Sequence, residues 1–188
     1  TTGETLYTRE QYDMGREVWQ SVGGHQMGSI WGHGSYVAPD WSADWLHREA
    51  TALLDLWAQR DAGKAYADLD AVQQAGLQAR LQQTMRENTY DPATGVITVD
   101  EDRAHAIRQV NDHYMRLFGP DVELNTLRAQ YGIQQNTIPD VEHRKAILAF
   151  FFWTSWSAST NRPDNTITYT SNWPSEPLVG NVPTTSTY

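Results

Sequence analysis

Apolar residues recur at helical spacing in several stretches of this chain, and most of these stretches open on a residue suited to capping a helix. Thr8-Arg9-Glu10-Gln11 has the form of a capping box, in which hydroxyl and amide side chains satisfy free backbone amides. Tyr12, Gly15, Val18, Trp19 and Val22 then share one face and predict a helix ending at Gly23-Gly24. A glycine-rich loop from Gly23 to Gly34 closes with Ala38-Pro39-Asp40. Asp40 or Ser42 caps a second helix, whose Leu46, Ala50, Leu53, Leu54 and Trp57 form a buried stripe up to Gly63. Asp70 begins a third, less amphipathic helix through Leu77, Leu81 and Met85.

Asp91-Pro92-Ala93-Thr94-Gly95 supplies a proline at a turn start and a glycine for positive φ between Thr89-Tyr90 and Val96 to Val99, which predicts a short β-hairpin. Asp100 caps a fourth helix with Ile107, Val110, Tyr114, Leu117 and Phe118 inward, stopped by Gly119-Pro120. His105, Gln109 and His113 fall on its opposite, solvated face. A short helix around Val122 to Tyr131 ends at Gly132. Pro139-Asp140 opens a last helix that is apolar nearly all round from Ile147 to Trp156, as expected of a segment buried on most sides. Beyond Arg162, Thr, Ser, Asn and Pro dominate, with one strand expected at Thr166 to Thr170. The pattern predicts a mainly α domain over residues 1–188, with its core at about 8–160 and an extended connector at 161–188.

Composition narrows the classes. A chain of 188 residues that is 39% hydrophobic, 20% charged and 11% aromatic has enough apolar material for a globular core. Eight tryptophans are the anomaly. A net charge of -9 with no Lys/Arg cluster argues against a nucleic-acid partner. The lack of cysteine excludes disulfides, thiolate metal sites and thioether-linked haem. The longest apolar run, Ala146 to Trp153, falls well short of the roughly 20 residues a membrane span needs. Thr1-Thr2-Gly3-Glu4 resembles neither an initiator nor a signal peptide, so an internal or processed piece of a longer protein is expected.

The stretch from Val18-Trp19 through Gly23-Gly24-His25-Gln26-Met27-Gly28 to Gly32-His33-Gly34-Ser35-Tyr36-Val37-Ala38-Pro39-Asp40 carries more specific information. It resembles the haem-attachment region of the cytochrome c subunit of nitric oxide reductases. There a Trp-bearing helix runs into Cys-x-x-Cys-His, followed by Gly-x-Gly-x-Tyr and Ala-Pro. On that pattern the two cysteines fall on Gly24 and Met27, and the haem-ligating histidine falls on Gly28. The continuation Trp41-Ser42-Ala43-Asp44-Trp45-Leu46-His47-Arg48-Glu49 is similar to the quinol-dependent class, in which the cytochrome-like part is fused to the catalytic subunit. Phe150 to Trp156, Asn161-Arg162-Pro163 and Asn172-Trp173-Pro174 are similar to that class as well.

The resemblance implies a cytochrome-c-like fold that holds no haem. Gly15-x-x-x-Trp19 and the aromatic last helix suit the crossing of terminal helices in such folds, and residues 119–145 hold no methionine for a sixth haem ligand. Trp31, Trp41, Trp45, Trp57 and Trp153 are the candidates to fill the vacated space. The implied enzyme reduces nitric oxide to nitrous oxide with quinol electrons, at haem b, haem b3 and non-haem iron in a membrane-embedded part of the same chain. This domain would stand on the extracytoplasmic face of the bacterial inner membrane, without catalytic residues of its own. Gly34 and Tyr36 match positions that contribute to a calcium ion shared with the membrane part, and oxygen donors suit that ion.

His25, His33 and His47 are not spaced as a compact zinc site. Two rival readings follow from the residues alone: non-covalent binding of haem or another small molecule, and a tryptophan-rich interaction or carbohydrate-binding module whose exposed indoles stack on sugars.

Overall fold

The computed structural model describes residues 3–24, 27–32 and 39–182, and they form six α-helices and one two-stranded hairpin. Helix α1 (Arg9–Ser21) starts at the Thr8 capping box. Asp side chains open four others: Asp40 caps α2 (Trp41–Ala62), Asp70 caps α3 (Ala71–Arg86), Asp100 caps α4 (Glu101–Leu117) and Asp140 caps α6 (Val141–Ser159). Each accepts a backbone N–H three residues on, which removes one of the orphan donors of a helix start. Strands β1 (Tyr90–Asp91) and β2 (Val96–Ile97) pair antiparallel, Tyr90 opposite Ile97. The short helix α5 (Asn125–Tyr131) follows a 3-10 turn at Val122–Leu124 and ends on Gly132 at φ 68°.

Helix α1 crosses α6 in close contact, and Gly15 makes the approach possible. A β-carbon there would lie 2.6 Å from the carbonyl carbon of Ala146 and 3.0 Å from Cβ of Phe150. Helix α2 packs on both α4 and α6 and divides the core into two clusters. One gathers Trp41, Trp45, Tyr114, Phe118 and Phe151; the other gathers Leu46, Leu53, Trp57, Leu81, Met85 and Val179. The charged pair Glu49 and Arg103 is buried between α2 and α4, Arg103 Nε donating to Glu49 Oε1 at 2.7 Å. Trp45 Nε1 donates to the other carboxylate oxygen at 3.0 Å.

The C-terminal segment differs from the expected connector in how firmly it is held. Arg86 at the end of α3 donates to Thr166 O (2.7 Å), Asn172 Oδ1 (2.9 Å), Asn181 Oδ1 (3.0 Å) and Val179 O (3.2 Å). Burial lowers its pKa from the ordinary arginine value, yet four neutral acceptors satisfy the guanidinium. Val179 and Asn181 are fully buried as a result. Thr166 to Thr170 does not form a strand: a single bridge joins Thr168 to Asn161, because no neighbouring strand offers a ladder. Arg128, which the apolar pattern could not single out, is buried under α4, with Nε donating to Leu117 O and Nη2 to Arg116 O, both at 2.7 Å.

Candidate functional site

The loop after α1 brings Gly28 to the first residue of α2, while Gly24 stays beside Trp19 of α1. Gly24 follows the helix at φ 45°, and Met27 is 6% exposed in the first cluster. Ser29 N donates to Pro39 O at 3.0 Å and Trp41 N to Ser29 O at 2.9 Å, so the two ends of the loop run side by side. Asp40 closes the arrangement: it caps α2 through Ala43 N (3.0 Å) and accepts from Ser29 Oγ (3.1 Å), Gly32 N and Ser42 Oγ. These ties press the Trp41 indole onto Gly28. A β-carbon at Gly28 would stand 2.7 Å from both Cδ1 of Trp41 and the carbonyl oxygen of Pro39, far inside van der Waals contact. Position 28 therefore admits no side chain while Trp41 holds its place.

Trp41 is the hub of an aromatic nucleus. Its ring stacks on Phe151 at 5.5 Å and meets Phe118, Tyr131 and Tyr114 edge-on at 5.2, 5.8 and 6.1 Å. Trp45 stacks on Tyr114 at 5.4 Å. Offset and edge-on pairs of this kind stabilise by about 0.5–1.5 kcal/mol each beyond area burial. Of the five tryptophans named as candidates from the sequence, Trp41 and Trp45 belong to this nucleus. Trp57 lies in the second cluster, its indole N–H donating to Asp102 at 2.8 Å, and Trp31 and Trp153 are half-buried elsewhere.

A polar shell backs the nucleus. Asp44 accepts from Tyr114 Oη, from Tyr131 Oη at 2.6 Å and from Arg48 Nε at 2.9 Å. Burial first, and then the Asp44 carboxylate, raise the Tyr114 phenol well above the ordinary tyrosine range, so it stays a donor. His113 packs edge-on against Tyr114 at 5.2 Å, and its pKa is pushed down to about 4 by burial and then by the Arg48 charge. The solvated face expected for His113 is thus corrected: α4 tucks it beside Arg48 and Tyr114, whereas His105 stays exposed, 3.2 Å from Gln109 Nε2.

On another side an open groove of about 1990 Å³ runs between residues 3–9, the hairpin, the start of α4, the outer face of α6 and residues 169–173. Five tryptophans, Trp19, Trp41, Trp45, Trp57 and Trp156, are buried; the other three, Trp31, Trp153 and Trp173, all line this groove. Trp31 holds φ 53°, a left-handed conformation that costs a bulky residue about 1–2 kcal/mol. It is kept there by its backbone N–H to Ser42 Oγ (3.0 Å) and its indole N–H to Thr154 O (2.9 Å). Gly32 at φ 74° lets Trp173 approach, since a β-carbon would meet its Cε2 at 3.0 Å.

Gly34 and Tyr36, expected at a calcium ion, and His25 and His33 lie outside the described residues. His47 sits on α2 and its Nδ1 pairs with Glu176 at 2.7 Å. Among the described residues no three His, Asp or Glu side chains gather to hold a metal, and no helix is long and apolar enough to cross a membrane. No curated protein matches the chain. Residues 1–175 match the family model for the NorB cytochrome c-like domain of nitric oxide reductase.

Proposed function

The chain belongs to the family of the NorB cytochrome c-like domain of nitric oxide reductase, and from that premise we propose that it is the haem-free, structural domain of a quinol-dependent enzyme. One observation carries the reading: Trp41 occupies the space over Gly28, the position that the resemblance assigns to the haem-ligating histidine. The cysteine-free chain also offers no thioether attachment. The residues present do not fit a covalently held haem, and no electron-transfer step is assigned to this domain.

Quinol delivers its electrons inside the membrane, so reduction of two nitric oxide molecules to nitrous oxide would proceed at haem b, haem b3 and non-haem iron of the membrane-embedded part. This domain covers that part on the extracytoplasmic face. Gly34 and Tyr36 retain a backbone carbonyl and a phenol for the shared calcium ion. The domain's own chemistry is packing: the Trp41 nucleus replaces a macrocycle by aromatic side chains.

Titration of the purified chain with haem tests the proposal. The expected result is no saturable Soret change. A one-to-one Soret shift, with ligand-field bands that vanish on substitution of a single histidine, would establish the rival reading of non-covalent haem binding instead. Five of the eight tryptophans are buried, so only Trp31, Trp153 and Trp173 on the groove are placed to stack on a sugar.

A further inference from the structure

We infer that Tyr131 is a site of nitration by nitrogen dioxide, with Asp44 taking its phenolic proton. The reagent rests on the reading of the chain as part of a nitric oxide reductase, because nitric oxide and dioxygen combine to nitrogen dioxide. The choice of residue stands on geometry.

A phenol that gives up one electron must also lose its proton, so a base already bonded to the hydroxyl eases the step. Among the described residues two phenols donate to a carboxylate, and both use Asp44: Tyr131 Oη reaches Oδ1 at 2.6 Å, and Tyr114 Oη reaches Oδ2. Tyr7 donates to the neutral amide of Asn111 and Tyr169 accepts from Asn88, so neither has such a base in place. Arg48 orients the pair, Nη2 donating to Tyr131 Oη at 3.0 Å and Nε to Asp44 Oδ2 at 2.9 Å, and Asp44 offsets its charge. Burial and then the Asp44 carboxylate raise the Tyr131 pKa, so the hydroxyl is protonated and bonded at neutral pH.

Burial separates the two phenols. Tyr114 is 0% exposed, with Trp45, Phe118 and Trp41 at 5.4, 5.8 and 6.1 Å, a packed core with no room for an added nitro group. Tyr131, the last residue of α5, is only partly buried. One nitrogen dioxide takes an electron from its phenol and leaves as nitrite, while the proton passes to Asp44 and on to solvent. A second bonds through nitrogen to the ring carbon beside the phenolic oxygen, and the hydrogen of that carbon moves to the oxygen to restore the phenol. The balance is two nitrogen dioxide molecules consumed, with one nitrite and one proton released. The nitro group makes the phenol a stronger acid, and its phenolate no longer donates to Asp44. Nitration thus removes one of the two hydrogen bonds by which Tyr131 ties α5 to α2.

Nitrogen dioxide generated by radiolysis of dissolved nitrite, followed by peptide mass spectrometry of the chain, tests the site. A positioned base speeds proton loss by about 10²–10⁴-fold, so Tyr131 should carry at least about tenfold more nitro group than Tyr90 or Tyr169, although these are 44% and 38% exposed. Asp44→Asn should erase that preference, and Tyr131→Phe should remove most of the nitrotyrosine absorbance. Nitration that follows exposure, with Tyr90 and Tyr169 ahead of Tyr131, would overturn the inference, and so would an unchanged preference in Asp44→Asn. Should Asp44→Asn not fold, the ratio in the unsubstituted chain and the Tyr131→Phe result decide. The haem titration reads the structural role separately, so failure of one is distinguishable from failure of the other.

Discussion

A β-carbon on Gly28 would lie 2.7 Å from Cδ1 of Trp41, so the residue at one position sets what the other can be. Gly28→Ala is expected to cost about 1–3 kcal/mol as an overpacked core, and Trp41→Ala about 3–5 kcal/mol as a large-to-small change. Because the added methyl enters the space the indole leaves, the double variant should lose less than the sum. Denaturant unfolding of the three variants measures this coupling, and strict additivity would show that the two sites do not share one space.

Arg103 and Glu49 form a buried pair with side chains 3% and 0% exposed. Arg103→Met alone should cost about 3–5 kcal/mol, because it leaves a buried carboxylate held only by the Trp45 indole. Arg103→Met with Glu49→Leu should recover most of that loss, since hydrophobic replacement of a whole buried pair is often neutral. Thermal midpoints of the single and double variants decide the matter.

Arg86→Ala removes the common donor for Thr166, Asn172, Val179 and Asn181. Charged donors contribute about 1.5–3 kcal/mol per bond, and this side chain is only half-buried, so a loss of about 2–4 kcal/mol is expected. Hydrogen exchange should quicken at residues 166–181 before any other segment. Uniform quickening across the chain would mean that the tail and the helices open together.

The pH dependence of stability should carry the signature of His113. Its folded pKa, about 4, lies below the ordinary 6.5, so between those values the unfolded chain binds a proton that the folded chain refuses. This group's contribution is complete above pH 6.5, falls as the pH drops through that window, and levels off below about 4. His113→Gln should flatten the stability curve between pH 6.5 and 4, which urea midpoints at a series of pH values would show. An unchanged slope would place the imidazole in solvent.

Much of the fold was legible because the helix starts are local devices. Thr8, Asp40, Asp70, Asp100 and Asp140 each cap within three residues of sequence, and period-3.6 stripes fixed the buried faces of α1, α2 and α4. The failures involve partners distant in sequence. Thr166 to Thr170 reads as a strand, but Thr166 O accepts from Arg86, Ile167 O from Arg162 N and Thr168 O from Ser171 N, so no ladder forms. His113 sits off the apolar stripe yet is enclosed beside Arg48 of another helix. At the candidate site, Gly28 was legible through its place in a motif, whereas which tryptophan covers it depends on how the ends of the loop are tied together by Asp40. The aromatic groove had no signal in the sequence, since its lining comes from six separate stretches of chain.

Gly28 and Trp41 together lock what either position can hold. A histidine placed at 28 collides with the indole, and a small residue placed at 41 empties the centre of the aromatic nucleus. Either step alone removes a sizeable part of the about 5–15 kcal/mol that keeps an ordinary domain folded. A side chain at position 28 therefore requires a change at position 41 as well, so the two positions can vary only as a pair.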